Sequence, residues 1–180
     1  WMGEKVPVDY YNQELFKDGM GLLPGPITGS PIGKALDLEE KTTFTLQNFS
    51  KHRVWKYFNL NQSLMEDLKK CLVYRFSPMS VDPQDNTVSV LARYSDVSQH
   101  PAILERRCDL GKTIVITTTA DREWNSLHAD QFGHVFLILT HELIQYLVLR
   151  PMEANNLSVG QPIVKSFEMK VQDPQIILPN

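Results

Sequence analysis

Three strand-like runs decide the fold: Val88-Ser89-Val90-Leu91-Ala92-Arg93-Tyr94, Ala102-Ile103-Leu104-Glu105-Arg106-Arg107 and Thr113-Ile114-Val115-Ile116-Thr117-Thr118-Thr119. The links between them, Ser95–His100 and Asp109-Leu110-Gly111, are too short for a crossover helix, so the spacing predicts an antiparallel meander. Ile114-Val115-Ile116 is apolar on both faces and is expected as a central strand, covered on both sides. Past the polar loop Asp121-Arg122-Glu123-Trp124-Asn125, apolar residues recur at Phe132, Val135, Phe136, Leu139, Leu143 and Tyr146-Leu147. That spacing predicts a helix from about Asp130 to Arg150 with one wide buried face, ended by Pro151. A buried strand opening into a polar loop and then a helix is the geometry that α/β enzymes use to hold a ligand. Yet the loop carries no Cys or Ser placed as a nucleophile and no phosphate-cradling glycines.

Working outward, Asp9 is a suitable N-cap for a short helix through about Phe16, with Gly19 as its stop and Tyr11 and Leu15 on one apolar face. Residues 19–34 hold five glycines and three prolines, which favours an irregular, extended connection. Thr42–Phe49 reads as a strand or an extended segment packed on the domain. Val54–Phe58 reads as one or two helical turns pinned by aromatics. Ser63 is expected to cap a helix over Leu64–Lys70. Leu72–Phe76 reads as a strand, closed by the turn chemistry of Pro78 and Pro83-Gln84-Asp85-Asn86. From Asn155 onward the pattern becomes short strand-like runs, Ile163-Val164 and Ile176–Leu178 among them. The expected organisation is an α/β domain over residues 1–153 and a linker with the first strands of a β-rich domain over 154–180. Because the chain starts on Trp1 and stops just after a strand-like run, it is expected to be a piece of something longer.

Composition narrows the partners. The chain has 180 residues, 42% hydrophobic and 22% charged, with a net charge of −3. A globule of this length buries roughly 70% of the surface its unfolded chain exposes, so it needs no staple. The charge offers nucleic acid no broad attraction, and the basic stretch Lys51-His52-Arg53 with Lys56 reads as a solvated face. Two cysteines, Cys71 and Cys108, make neither a disulfide framework nor a four-ligand metal site, and buried free thiols are expected. The apolar run Val135–Leu139 is far short of the roughly 20 residues a bilayer needs.

Several motifs fail on chemistry. Gly29-Ser30-Pro31-Ile32-Gly33-Lys34-Ala35 is one residue short of a phosphate-binding loop and ends in Ala35, where a magnesium-binding hydroxyl is required. His141-Glu142-Leu143-Ile144-Gln145 nearly matches the zinc-protease helix, but Gln145 replaces the second histidine. His134 lies about 10.5 Å along the helix from His141, too far to share one metal. His141 and Glu142 are therefore expected to make polar contacts at the edge of a buried helix. The segment that remains is Asp121–Asp130, with Asp121, Arg122, Glu123, Trp124, Asn125 and His128 at the carboxyl end of the expected central strand. Ligands of open α/β sheets bind at such ends. The plainer alternative is that Asp121 caps a turn, Arg122 pairs with a carboxylate and Trp124 plugs the loop onto the core.

An ordered series of segments carries a family resemblance: Met2-Gly3, Asp9-Tyr10-Tyr11-Asn12, Asp18-Gly19-Met20-Gly21-Leu22-Leu23-Pro24, Val90-Leu91-Ala92-Arg93-Tyr94 and Pro101-Ala102-Ile103-Leu104-Glu105-Arg106. Gly111-Lys112 into Thr117-Thr118-Thr119-Ala120-Asp121, Trp124-Asn125, His141-Glu142-Leu143 and Asn156-Leu157-Ser158-Val159-Gly160 continue it. In order and spacing the chain resembles the glutamine-amidotransferase-like region of large membrane-anchored bacterial proteins. Those proteins begin with a Bat-type aerotolerance segment and usually carry a von Willebrand factor A domain. The resemblance implies the C-terminal part of a flavodoxin-like (class I glutamine amidotransferase-like) three-layer α/β domain, whose first strands lie before Trp1. Trp1-Met2-Gly3 would then be the end of a strand. It also implies an extracytoplasmic, periplasmic location, with membrane anchors outside this chain. Class I amidotransferases use an elbow cysteine with a His-x-Glu pair, and neither is present here.

The sequence thus predicts a non-catalytic interaction or structural module, with no cofactor and no metal. Its partners would be other domains of the parent chain or envelope proteins, met through the Trp124 loop and the Gly/Pro-rich segment. The alternatives are a hydrolase or amidotransferase-like enzyme whose nucleophile lies elsewhere, or a small-ligand sensor.

Overall fold

The computed structural model describes residues 6–34, 43–108, 111–129 and 131–148. The chain divides into one compact unit, Trp1–Leu147, and a second, Val148–Asn180. The expected strand end at Trp1-Met2-Gly3, the boundary at residue 153, the β-rich segment 154–180 and Pro151 lie outside the described residues. In chain order the first unit contains α1 (Val8–Tyr11), β1 (Ile32–Gly33), β2 (Leu46–Gln47), α2 (Lys56–Leu60), α3 (Gln62–Lys70) and β3 (Arg75–Phe76). β4 (Val88–Tyr94), β5 (Pro101–Cys108), β6 (Gly111–Ile116) and α4 (Gly133–Val148) follow, the last reaching one residue past the unit. The class is mixed α/β. A four-stranded sheet runs in the order β2-β4-β5-β6 beside a two-stranded sheet, β1-β3, and these ladders are antiparallel.

The meander stands as expected, because period-2 runs joined by tight links can only fold back on themselves. Its centre does not. β6 lies at the end of the four-stranded sheet among the described residues, and β5 is the central, buried strand. Apolar residues on both faces of β6 report cover above and below the sheet, not pairing along both edges. One layer of cover is α4 with the α2–α3 pair, packed on Ile103, Ile114 and Ile116. The other is the N-terminal segment, whose Leu23 and Ile27 join Met79, Leu104 and Val115, with Tyr11 and Leu15 packed alongside.

The Gly/Pro-rich segment is held by side chains rather than by a ladder. Buried Arg106 donates to the carbonyls of Leu23 (3.0 Å) and Gly19, and Thr113 Oγ1 donates to Leu22 O (2.7 Å). Gly21 packs directly on the carbonyl of Leu15 and Gly25 on that of Ser80, so a Cβ at either would collide with backbone. A bulge at Leu91 turns its carbonyl out of the β4–β5 ladder, where Trp55 Nε1 (3.2 Å) and Ser50 N (2.9 Å) donate to it. Trp55 stacks edge-on with Phe49 and Phe58, which is the aromatic pinning expected of this turn.

Several local expectations are corrected. The first helix has no side-chain cap and is preceded by Pro7 rather than capped by Asp9; it continues as a wider π-type turn, Asn12–Phe16. Asn61, not Ser63, caps α3, its Oδ1 accepting from Leu64 N at 3.3 Å. α4 starts at Gly133, and Leu147 is exposed instead of belonging to the buried face.

Candidate functional site

The loop after β6 is built as a plug. Asp121 Oδ1 accepts from Glu123 N (2.9 Å) and Trp124 N (3.4 Å), an Asx turn that reverses the chain. Trp124 and Asn125 are fully buried. Asn125 Nδ2 donates to Thr119 O (2.7 Å), its Oδ1 accepts from Leu127 N (3.1 Å), and its backbone bridges to Val73. Trp124 O accepts from Tyr74 N (2.7 Å), and Ser126 exchanges two bonds of 2.8 Å with Leu72. The Arg75 guanidinium lies 4.9 Å above the Trp124 ring. Arg122 Nη2 donates to His128 O at 3.4 Å. His128 is half-buried against Phe136, with ring centroids 4.0 Å apart, and burial holds its imidazole pKa below the ordinary value. Asp130 lies outside the described residues. Of the six residues singled out from sequence, Asp121, Arg122 and Glu123 face solvent, while Trp124, Asn125 and His128 fasten them to the core.

A second cluster, not evident from the sequence pattern, centres on Glu105. Glu105, in the middle of β5, is 1% exposed on the sheet face that meets α4. Tyr146 Oη donates to Glu105 Oε1 at 2.8 Å, and His52 Nε2 lies 3.0 Å from Oε2. His52 Nδ1 accepts from Val54 N at 3.4 Å, so in the neutral ring the proton sits on Nε2, the nitrogen that faces Glu105. Lys112 Nζ sits 3.6 Å from the centroid of the Tyr146 ring, and Arg107 Nε is 3.8 Å from Glu105 Oε1. Burial alone would raise the Glu105 pKa; the hydrogen bonds from His52 and Tyr146, with the neighbouring positive charges, outweigh it and hold the carboxyl below its ordinary value. The Tyr146 phenol is pushed upward by burial and by Glu105. This arrangement docks α4 and the 52–55 turn on the central strand around the buried Glu105 carboxylate.

The third arrangement lies in the β4–β5 hairpin. Asp96 Oδ1 accepts from His100 N (2.9 Å), and its Oδ2 accepts from Ser98 N (3.1 Å) and lies 2.7 Å from His100 Nδ1. In the neutral ring a carboxylate at that distance fixes the Nδ1–H tautomer and leaves Nε2 as an acceptor. His100 lines a cleft of about 340 Å³ with Arg93, Ser98, Gln99, Pro101, Thr28 and Ser80. Gln99 adopts φ +50° and Asn48 φ +52°. Arg93 Nη1 donates to Gln99 O (2.9 Å) and Asn48 Nδ2 to Gln99 Oε1 (3.0 Å), which hold the strained turn in place.

No family model, no curated protein and no solved structure matches this chain.

The remaining sequence motifs are accounted for locally. His141 makes polar contacts with Glu142 (3.8 Å) and Gln145 (3.2 Å), as expected at the rim of α4. His134 pairs with Asp67 at 3.4 Å. Among the described residues no group of three His, Cys, Asp or Glu side chains could hold a metal ion, and no helix is long and apolar enough to cross a membrane. Both cysteines are free thiols. Cys71 is buried, and burial with the nearby Asp67 charge pushes its pKa up to about 12, far from a thiolate nucleophile. Cys108 Sγ points to Gly21 O at 3.8 Å.

A signal for the missed cluster did exist. Glu105 and Arg106 sit side by side in a run otherwise buried on both faces, so each needed a partner inside the fold.

Proposed function

We propose that this domain is a non-catalytic interaction or structural module of a membrane-anchored cell-envelope protein. The observation that carries the proposal is a second apolar stripe on α4. Leu137 is 70% exposed and Ile144 55%, with Leu147 one turn further on. Ile144 and Leu147 line a groove of about 250 Å³ together with Leu143, Thr140 and β6 residues Ile114 and Ile116. An exposed apolar stripe beside a strand at the end of its sheet is a surface that partners cover. The loop tip Asp121-Arg122-Glu123, fixed on the Trp124 plug, lies beyond the end of the same strand and supplies charged contacts.

The partner of this reading is another domain of the parent chain or an envelope protein. A flavodoxin-like domain would continue the sheet past β6 with parallel strands, and α4 would be one of its covering helices. The bacterial, extracytoplasmic setting rests on the sequence resemblance. The enzyme alternative would bring its nucleophile from outside this chain, since the high Cys71 pKa makes that thiol a poor one.

The test is photo-crosslinking from position 144 in the full-length parent in cells, with exposed position 69 as control. The expected result is a discrete product from position 144, within the parent chain or to one envelope protein, that Ile114→Asp abolishes. No product above the control would overturn the reading.

A further inference from the structure

We infer that the hairpin cleft beside His100 is a binding site for a small carboxylate that also carries a hydroxyl or amine donor. This site is separate from the α4 groove and stands independently of it.

Three features of the cleft set the chemistry of its ligand. Arg93 spends one N–H on Gln99 O and has no carboxylate partner among the described residues. A guanidinium with further N–H donors in a concave site is the usual receptor for a carboxylate, which it binds through two parallel bonds. His100, oriented by Asp96 at 2.7 Å, offers Nε2 as a lone pair when the ring is neutral. A lone pair accepts from an O–H or N–H and does not attract a second anion, which is why a bare dianion fits less well than a hydroxy or amino acid. Finally, the lining adds hydroxyls from Thr28, Ser80 and Ser98 and no carboxylate, while Met79, Val81 and Pro101 supply an apolar wall.

The turn that holds these groups is itself constrained. Gln99 sits in the left-handed region, where a non-glycine residue is strained, and Asn48 and Arg93 both fasten it. His100 also meets Phe76, with ring centroids 5.6 Å apart, so a ring and a carboxylate both brace the imidazole. A receptor with its polar groups already placed pays little ordering cost on binding.

The experiment is a two-dimensional NMR titration of the 180-residue chain with lactate, acetate and glycerol in parallel. Lactate has both required groups, acetate lacks the donor and glycerol lacks the carboxylate. Lactate is expected to shift the Arg93 and Ser98–His100 signals saturably. Acetate should bind about tenfold more weakly, as the loss of one net hydrogen bond implies, and glycerol should not saturate. Arg93→Gln and His100→Asn, each checked for an unchanged spectrum elsewhere, should each weaken lactate binding about tenfold or more. Equal responses to the three probes, or lactate binding unchanged in both variants, would overturn the inference. The wild-type comparison needs no variant to fold, and neither outcome bears on crosslinking at position 144.

Discussion

Two of the carboxylate–imidazole pairs among the described residues are of nearly the same length and opposite design. His52 and Glu105 meet at 3.0 Å in the core, and His100 and Asp96 at 2.7 Å on a hairpin. In the first, Tyr146 occupies the other carboxylate oxygen and Val54 N the other imidazole nitrogen. In the second, the carboxylate is filled by backbone N–H groups and the imidazole lines a cleft. A shared contact therefore says little until the remaining valences are counted. The first pair is enclosed by neighbouring groups and ties separate elements together, while the second lies on a hairpin with its imidazole lining a cleft.

The sharpest way to break that contrast is to remove the buried carboxylate. Glu105→Ala should cost about 2–5 kcal/mol in urea denaturation, because it leaves a cavity and strands the Tyr146 and His52 donors. Tyr146→Phe removes one charge-assisted bond and should cost about 1.5–3 kcal/mol. A loss below about 0.5 kcal/mol in both would show that the cluster does not dock α4.

Acid sharpens the comparison further. The Glu105 carboxyl is held below its ordinary value of 4.5, so its contribution is complete above that pH and falls away as pH drops through the lower folded value. The urea midpoint of the wild type should fall on acidification through and below pH 4.5, and Glu105→Gln should show a shallower fall over the same window. Identical slopes would assign the acid loss to other groups. At the hairpin the effects are smaller. Asp96→Asn keeps an oxygen for the turn N–H groups and should cost about 1 kcal/mol or less, while freeing the His100 ring to change tautomer. Reversing Arg122 to Glu should stay within about 0.5 kcal/mol, since its side chain lies on the surface.

How much of this was legible in the sequence follows from which pattern each feature writes. The meander and α4 are written in periodicity, and both were readable within a few residues. The loop plug was readable as the plainer alternative, because an Asp at the turn and a Trp in a polar loop announce a cap and an anchor. The position of β6 at the end of the sheet among the described residues was not readable, since alternation reports faces and never edges. Glu105 and His52 lie on separate elements, and nothing local to Lys51-His52-Arg53 distinguishes the middle residue from its exposed neighbours. The hairpin pair was closer to hand: an Asp and a His four apart across a two-strand link is a short-range pairing, but its cleft depends on Thr28 and Ser80 from distant segments.

The most direct test of the contrast is long-range proton–nitrogen NMR of the two imidazoles in the native chain. At a pH where both rings are neutral, His52 is expected as the Nε2–H tautomer with a proton protected from exchange, and His100 as the Nδ1–H tautomer whose Nε2 signal moves with lactate. The same tautomer on both rings, or a His52 proton that exchanges as freely as an exposed one, would contradict it.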